Sequence, residues 1–185
     1  MSGHLSIRNR QRVRRVNLPL LRRITGHLLH VHFPQRPFEL CLHLVGAKEM
    51  ARVNQTFLQH EGSTDVITFD HAATEPSLAN AETTEKRPLH GELYLCLDDA
   101  VTQARAFKTS WAAELVRYMV HGLLHLDGHD DLQPAARRRM KRVENQLVTQ
   151  LAQTFSLDAL ARRPRSAQRR PASPKRAARR RVPHP

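Results

Sequence analysis

The segment HGLLHLDGHDD, residues 121–131, combines metal-ligating side chains with the spacing of a helix. His121 and His125 are four residues apart, so on a helix both imidazoles project from one face, one turn apart. Two imidazoles in that arrangement are close enough to bind a single divalent ion. The alternative is a pair of hydrogen-bonded histidines at the end of a helix, and the spacing alone does not separate the two.

Gly128 favours the metal site. A glycine can adopt the left-handed conformation that ends a helix, after which the chain folds back toward the last helical turn. The next three residues are candidates for a third ligand: His129, Asp130 and Asp131. A zinc protease is disfavoured, because its general base is a glutamate directly after the first histidine and Gly122 occupies that place here.

Both histidines fall in the longest helical pattern of the chain, from Asp98 to Asp127. Its apolar residues form one seam at helical spacing: Ala100, Ala104, Phe107, Trp111, Leu115, Met119, Gly122 and Leu126. A short break near Thr109 divides the pattern into two helices. The histidines lie about 100° around the helix from the seam, which places them at the rim of the protein core. The helix itself is expected to be the most buried of the fold.

Four other segments have the composition of strands, namely LSIRNRQ, FELCLHLV, STDVITFD and GELYLCL. FELCLHLV alternates cleanly and predicts a half-buried strand, with leucines on one face and Glu39, Cys41 and His43 on the other. GELYLCL is nearly continuous in apolar residues, which is typical of a central strand.

Further helices are predicted after Asn17, over the segment AKEMARVNQTFL, and from Pro134 to about Phe155. Residues 71–89 contain proline, asparagine, threonine and glutamate without periodicity, and this composition predicts an exposed loop.

The 185-residue chain carries a formal net charge of +13, and its basic residues are concentrated at the two ends. The N-terminal cluster consists of Arg8, Arg10, Arg12, Arg14 and Arg15, and no acid precedes Glu39. Such one-signed ends suit a polyanion, most commonly nucleic acid, while solvated tails that aid solubility are the alternative. The composition predicts a domain over residues 1–158 and a disordered, Arg-rich tail over residues 159–185.

Cys41 and Cys96 lie in apolar alternating segments and are too few for a disulfide framework. They predict thiols without a disulfide partner, in a reducing compartment. No apolar run approaches the ~18 residues that a membrane helix needs, so no membrane partner is expected. The expected location is the cytoplasm.

The segment HGLLHLDGHDD resembles the His-Gly-x-Leu-His-Leu-x-Gly-Tyr-Asp-His signature of the YbeY family, single-domain metal-dependent endoribonucleases of bacterial ribosomal RNA maturation. VNQTFLQHEGSTDVITF, GELYLCL, and Met140 with Glu144 are similar to further motifs of that family. The resemblance implies an α+β, zincin-like fold, in which a four-stranded mixed sheet is packed with helices around a central metal-binding helix.

This sequence departs from the family at the metal site. Asp131 stands where the family has its third ligand, a histidine, and His129 stands where it has a tyrosine. The resemblance therefore implies the ligand set His121, His125 and Asp131 for one divalent ion, most simply zinc, with His129 as the substitute ligand. A set of two histidines and a carboxylate leaves a fourth position open and tolerates harder metals more readily.

A third departure is Leu58, where the family motif usually has an arginine that lines a basic groove. A leucine cannot contact phosphate. The expected replacements for that charge are Arg52 and the N-terminal arginine cluster.

Three groups are candidates for the general base of RNA cleavage: a metal-bound hydroxide, the neighbouring ribose hydroxyl and His129, whose ordinary titration range suits the role. Asp65 and Glu144 are candidates for orienting the imidazoles. The alternatives are that Asp65 bonds the backbone of a turn and that Glu144 pairs with Lys141 or an arginine.

Two functions follow from the resemblance. The first is a single-strand-specific, metal-dependent endoribonuclease acting in late processing of small-subunit (16S) ribosomal RNA and in ribosome quality control. The second, favoured by Asp131, Leu58 and the arginine-rich ends, is a non-catalytic RNA-binding ribosome-assembly factor of the same fold. The expected partners of either are ribosomal RNA and the ribosome or its small subunit.

Overall fold

One mixed sheet organises the protein in the computed structural model, which describes residues 3–72 and 87–161. Its strands are β1 (Gly3–Asn9), β2 (Phe38–Val45), β3 (Val66–Asp70) and β4 (Leu89–Cys96). Their order is β1-β2-β4-β3; β1, β2 and β4 run parallel, and β3 is antiparallel to β4. The α+β class and the four-stranded mixed sheet are therefore confirmed.

The helices follow in the order that the sequence predicts. They are α1 (Leu18–His32), α2 (Ala47–Val53), which continues into a π-helical turn (Asn54–Leu58), α3 (Leu97–Phe107), α4 (Trp111–Leu126) and α5 (Pro134–Thr154). A 3-10 helix (Leu157–Ala161) ends the described part of the chain. None of the described helices has the length and hydropathy needed to span a membrane.

The inner face of the sheet carries the main core. Strand alternation brings Leu40, Leu42 and Leu44 of β2 to this face, where they are fully or almost fully buried. They pack in one hydrophobic cluster with Leu93 of β4 and with apolar residues of α1 and α4, including Met119. Because α4 is buried on most of its surface, its end is held at a defined position beside β3 and β4.

The outer face of the sheet is more buried at β2 than the prediction of a half-buried strand implies. His43 of β2 is only 2% exposed, because its ring stacks on Tyr94 at a centroid distance of 4.3 Å and its Nε2 lies 2.7 Å from Glu92 Oε2. A second, smaller cluster forms on the same face, where Met50 of α2 packs with Val45. Burial lowers the pKa of His43 although Glu92 opposes that shift.

The break predicted near Thr109 is confirmed, and it removes one residue from the predicted seam. α3 ends at Phe107, Lys108 has a left-handed φ of 54°, and Ser110 caps α4 by accepting a hydrogen bond from the Ala113 amide at 3.2 Å. The change of helix direction leaves Phe107 67% exposed, so its place in the buried seam is wrong.

The folded body continues slightly beyond the boundary expected at residue 158. Leu160 is fully buried in the core, and its carbonyl accepts a hydrogen bond from the Asn17 amide at 2.8 Å. Residues 159–161 thus pack against the domain. The remainder of the predicted disordered tail, residues 162–185, and most of the predicted loop over residues 71–89 lie outside the described residues.

Two glycine positions give a matched test of this packing. A Cβ on Gly91 would lie 2.3 Å from the Phe69 carbonyl oxygen of the neighbouring strand, whereas a Cβ on Gly26 of α1 would meet nothing within 4 Å. Gly91→Ala is expected to lower the free energy of unfolding by about 1–3 kcal/mol, because strand backbone must move. Gly26→Ala is expected to raise it by up to about 1 kcal/mol. Urea unfolding measures both, and equal midpoints for the two variants would contradict the strand contact.

Candidate metal centre

Two histidines of α4 present their Nε2 atoms to each other. The Nε2 atoms of His121 and His125 lie 3.0 Å apart, and the two side chains are 25% and 30% exposed. This partial exposure agrees with the expected position at the rim of the core, where an ion and a substrate both have access.

The chain reverses directly after α4. The Gly128 amide donates to the His125 carbonyl at 2.9 Å, the His129 amide donates to the Leu124 carbonyl at 2.9 Å, and Gly128 has a φ of 91°. This pair of bonds is a Schellman motif, so the predicted left-handed glycine at the helix end is confirmed. The reversal brings Asp131 back toward the two imidazoles.

Asp131 completes a cluster of three potential ligands with His121 and His125. Its Oδ2 lies 3.9 Å from His121 Nε2, and its Oδ1 lies 3.9 Å from His125 Nε2. One ligand atom from each of the three residues lies within 4.8 Å of the others, and this is the cluster found among the described histidines, cysteines and acids.

The other nitrogen of each imidazole faces an acceptor. His121 Nδ1 lies 3.0 Å from Glu144 Oε2, and His125 Nδ1 lies 3.1 Å from the His129 carbonyl oxygen. An ionised carboxylate and a carbonyl accept hydrogen bonds only, so both Nδ1 atoms carry the proton of the neutral ring. The Nε2 lone pairs are then directed at each other and at Asp131, which is the arrangement that a cation stabilises.

Electrostatics favour the required protonation states. Burial lowers the pKa of His125, and the neighbouring His121 lowers it further against the opposing effect of Asp131. Burial raises the pKa of Glu144, but hydrogen bonds from His121, Lys141 and Arg117 outweigh it and bring that pKa to about 2. A neutral imidazole and an ionised carboxylate are the forms that metal ligation and imidazole orientation need.

The donor set fits a small divalent ion. Tetrahedral zinc has metal–ligand distances of about 2.0–2.2 Å for nitrogen and oxygen, so its ligand atoms are separated by about 3.3 Å. The two Nε2 atoms, 3.0 Å apart, are slightly closer than that value, and each Asp131 oxygen, 3.9 Å from the nearer of these two nitrogens, is slightly farther. Two imidazoles and a carboxylate also leave a fourth position open, as in catalytic rather than structural zinc sites.

The structure separates the alternatives left open for the neighbouring residues. His129 contributes its main-chain carbonyl, while its ring Nε2 lies 3.5 Å from Asp127 Oδ2 and outside the ligand cluster. Asp65 Oδ1 accepts from the Val66 amide at 2.9 Å, which is the turn-backbone role.

Glu144 makes the contacts that both of its alternatives predict. Besides His121, it contacts Arg117 Nη1 at 2.6 Å and Lys141 Nζ at 2.7 Å. Its side chain is only 3% exposed, so these three partners account for its burial as a charged group.

A pocket of about 390 Å³ opens beside the ligand cluster between α4 and α5. It is lined by Asp65, Arg117, Tyr118, His121, Asp131, Arg137, Met140, Lys141 and Glu144. Neither arginine of this pocket is among the RNA-binding residues predicted from the sequence. Helical spacing could have found them, because Arg117 precedes His121 by four residues and Arg137 precedes Lys141 by four.

The arginines expected to contact RNA are not part of this pocket. Arg8 lies on β1, the edge strand opposite β3, while Arg10, Arg12, Arg14 and Arg15 follow that strand and Arg52 is exposed on α2. Arg10 is ion-paired with Glu49 at 2.6 Å, and its guanidinium lies over the Tyr94 ring. If they bind RNA, they do so away from the pocket wall.

Known proteins are similar to this chain in sequence over most of its length. The family model described as Endoribonuclease YbeY matches residues 6–152. The chain is 34% identical over 144 residues to the Endoribonuclease YbeY of Salinibacter ruber, covering 78% of this chain and 89% of that protein. It is 38% identical over 131 residues to that of Myxococcus xanthus, covering 69% of this chain but only 42% of that longer protein.

A solved structure shares the fold. The solution structure of TM1509 from Thermotoga maritima matches with a TM-score of 0.57 and 21% identity, covering 83% of this chain and 92% of that one. At that identity the match concerns the fold, while the family assignment depends on the sequence matches, which extend over most of the described body. Because the family model and these relatives match most of its length, this chain belongs to the YbeY family of endoribonucleases.

Proposed function

We propose that this chain is a metal-dependent endoribonuclease that cuts single-stranded RNA. The observation that carries the proposal is the cluster of His121, His125 and Asp131 at the mouth of a pocket that also contains three cations. Metal ligands beside cationic groups that attract phosphate suit the hydrolysis of a phosphodiester bond. The relatives in this family are named endoribonucleases. We further propose zinc as the ion.

The residues of this chain would divide the work as follows. His121, His125 and Asp131 would hold the ion, which would supply Lewis-acid stabilisation of the charge that develops on the phosphate oxygens. Glu144 and the His129 carbonyl fix the two imidazole rings through their Nδ1 protons. The cations of the pocket wall attract the RNA backbone and keep the phosphodiester beside the ligand cluster.

The shape of the site supports a single-stranded substrate. The ligand cluster opens into a concave pocket of about 390 Å³, so a phosphodiester must leave the path of a regular duplex to reach it. Single strands and loops can present the backbone in that way, because their bases are not held in a stack. We propose small-subunit (16S) ribosomal RNA in late processing and in ribosome quality control as the substrate, in the cytoplasm, with the ribosome or its small subunit as partner.

A second candidate function is a non-catalytic RNA-binding assembly factor. The specific observation in its favour is that no arginine of the N-terminal cluster lines the pocket, so RNA contacts need not involve the metal cluster. Phosphate contacts from such a cluster give affinity that falls steeply with salt and does not depend on sequence.

Cleavage and binding measured side by side separate the two functions. Wild-type protein supplied with zinc or manganese is expected to cut a single-stranded RNA and to leave the corresponding duplex intact. The double variant His121→Ala, His125→Ala is expected to lose cleavage while it still binds the RNA. Wild-type protein that holds its ion and binds RNA but never cuts would refute the enzyme and support the assembly factor.

A further inference from the structure

Helix α5 begins with an unusual density of cations directly beside the metal centre. Its first residues carry Arg137, Arg138, Arg139, Lys141 and Arg142, and no acid occurs in α5 before Glu144. Of these cations only Arg137 and Lys141 line the pocket. Leu58, at the position where the family pattern has an arginine, presents an apolar side chain that is 46% exposed.

The three cations of the pocket wall are not equivalent. Arg117 and Lys141 are both committed to the buried carboxylate of Glu144, at 2.6 and 2.7 Å. Arg137 has no carboxylate partner among the described residues. Its Nε donates instead to the Asp131 carbonyl at 2.9 Å, and its side chain is exposed.

The bond through Nε has a geometric consequence. It uses one edge of the guanidinium to attach Arg137 to the loop that carries a metal ligand, and it leaves the two terminal nitrogens with their hydrogens for another acceptor. A guanidinium presents parallel N–H groups that match two oxygens of a phosphate. The bond therefore attaches the guanidinium to the Asp131 loop, beside the ligand cluster.

The formal charges of the pocket wall also favour a phosphate contact at Arg137. The carboxylates of Asp65, Asp131 and Glu144 are offset by Arg117, Arg137 and Lys141, so the pocket wall has no net formal charge. With a divalent ion bound, the pocket becomes positive and accommodates a phosphodiester anion. Without Arg137 the wall alone would be net negative, which opposes the approach of RNA.

We propose that Arg137 binds the non-bridging oxygens of the phosphodiester that is cut, and that it replaces in this chain the phosphate-binding arginine absent at Leu58. This inference rests on the proposed function and assigns it a substrate contact on α5. Arg137 of α5, rather than the arginines that follow β1, then positions the RNA backbone at the metal centre.

The test compares Arg137→Ala with Arg139→Ala, because both remove one exposed positive charge from the same turn of α5 and only Arg137 lines the pocket. Arg137→Ala is expected to reduce kcat/KM for single-stranded RNA by about 100-fold. It should also lower the dependence of log Kd on log salt by about one unit. Arg139→Ala is expected to change kcat/KM by less than about threefold, because a solvated charge is screened.

Further measurements distinguish a phosphate contact from other roles of Arg137. Arg137→Lys keeps the charge and is expected to recover part of the binding but not the full rate, because a lysine does not bind two oxygens in the same geometry. Metal content should be the same in wild type and Arg137→Ala. A loss of metal in that variant would overturn the assignment, since Arg137 would then act by holding the Asp131 loop.

The outcome remains interpretable if the nuclease activity itself is absent. Binding of a short single-stranded oligoribonucleotide by the zinc-loaded protein gives an independent readout. A larger loss of binding with Arg137→Ala than with Arg139→Ala supports the contact even if no RNA is cut, while equal losses overturn it and leave only a diffuse basic surface.

Discussion

Asp131→Ala is expected to remove the stoichiometric divalent ion from the purified protein and to abolish RNA cleavage. The two imidazoles would remain, but two neutral ligands on one helical turn bind an ion far more weakly than a site closed by a carboxylate. We expect metal affinity to fall by at least about 100-fold, the upper end of what loss of a supporting residue costs. Elemental analysis with a metal titration measures the change.

His129→Ala is the matched control for this prediction. The two residues lie in the same loop, but His129 is held at the site through its carbonyl, which alanine keeps. The variant is therefore expected to retain one ion per chain. The ligand assignment would be refuted if His129→Ala lost the ion and Asp131→Ala kept it, because the imidazole of His129 would then be the third ligand.

Glu144→Gln is expected to lower metal affinity by about 10–100-fold without unfolding the protein. The Glu144 carboxylate, whose pKa is lowered to about 2, accepts a hydrogen bond from His121 Nδ1 at 3.0 Å. This bond holds the ring with its Nε2 toward the ligand cluster. A neutral amide weakens that hydrogen bond and removes the negative charge that makes the imidazole a better donor to metal. A competition titration against a zinc chelator measures the affinity.

Glu114→Gln provides the comparison for the change at Glu144. Glu114 is also a buried glutamate, and it also lies near Arg117, at 3.7 Å. It contacts Thr109 rather than either imidazole. The two amides should therefore have comparable effects on stability in urea, while only Glu144→Gln weakens metal binding. Equal metal affinities in both variants would show that Glu144 serves the helix packing alone.

Local sequence patterns were sufficient where the structure depends on neighbouring residues. The spacing of His121 and His125, the left-handed Gly128 and the break near Thr109 each follow from backbone geometry over a few residues. Strand alternation likewise predicted the buried leucines of β2. Such features are independent of what packs against them, so reading them requires no knowledge of the tertiary fold.

Contacts between distant segments could not be obtained in this way. His43 alternates onto the outer face of the sheet, yet it is buried because Tyr94 and Glu92 come from another strand. Phe107 belongs to the apolar seam by spacing, yet it is exposed because the chain changes direction at Lys108. The burial of His43 is thus decided by a strand far away in the sequence, whereas the exposure of Phe107 is decided by the turn that follows it and separates it from the seam of α4.

The sequence by itself determined the α+β elements, the two imidazoles on one helical face and a loop rich in third ligands. Only the tertiary structure decided how the site is completed. Packing of α5 against α4 brings Glu144 to His121 and places Arg137 and Lys141 on the pocket wall, whereas none of the N-terminal arginines lines that pocket. The physical reason is that helical spacing specifies directions within one element, whereas ligand orientation and charge balance arise between elements whose relative position depends on the shared core.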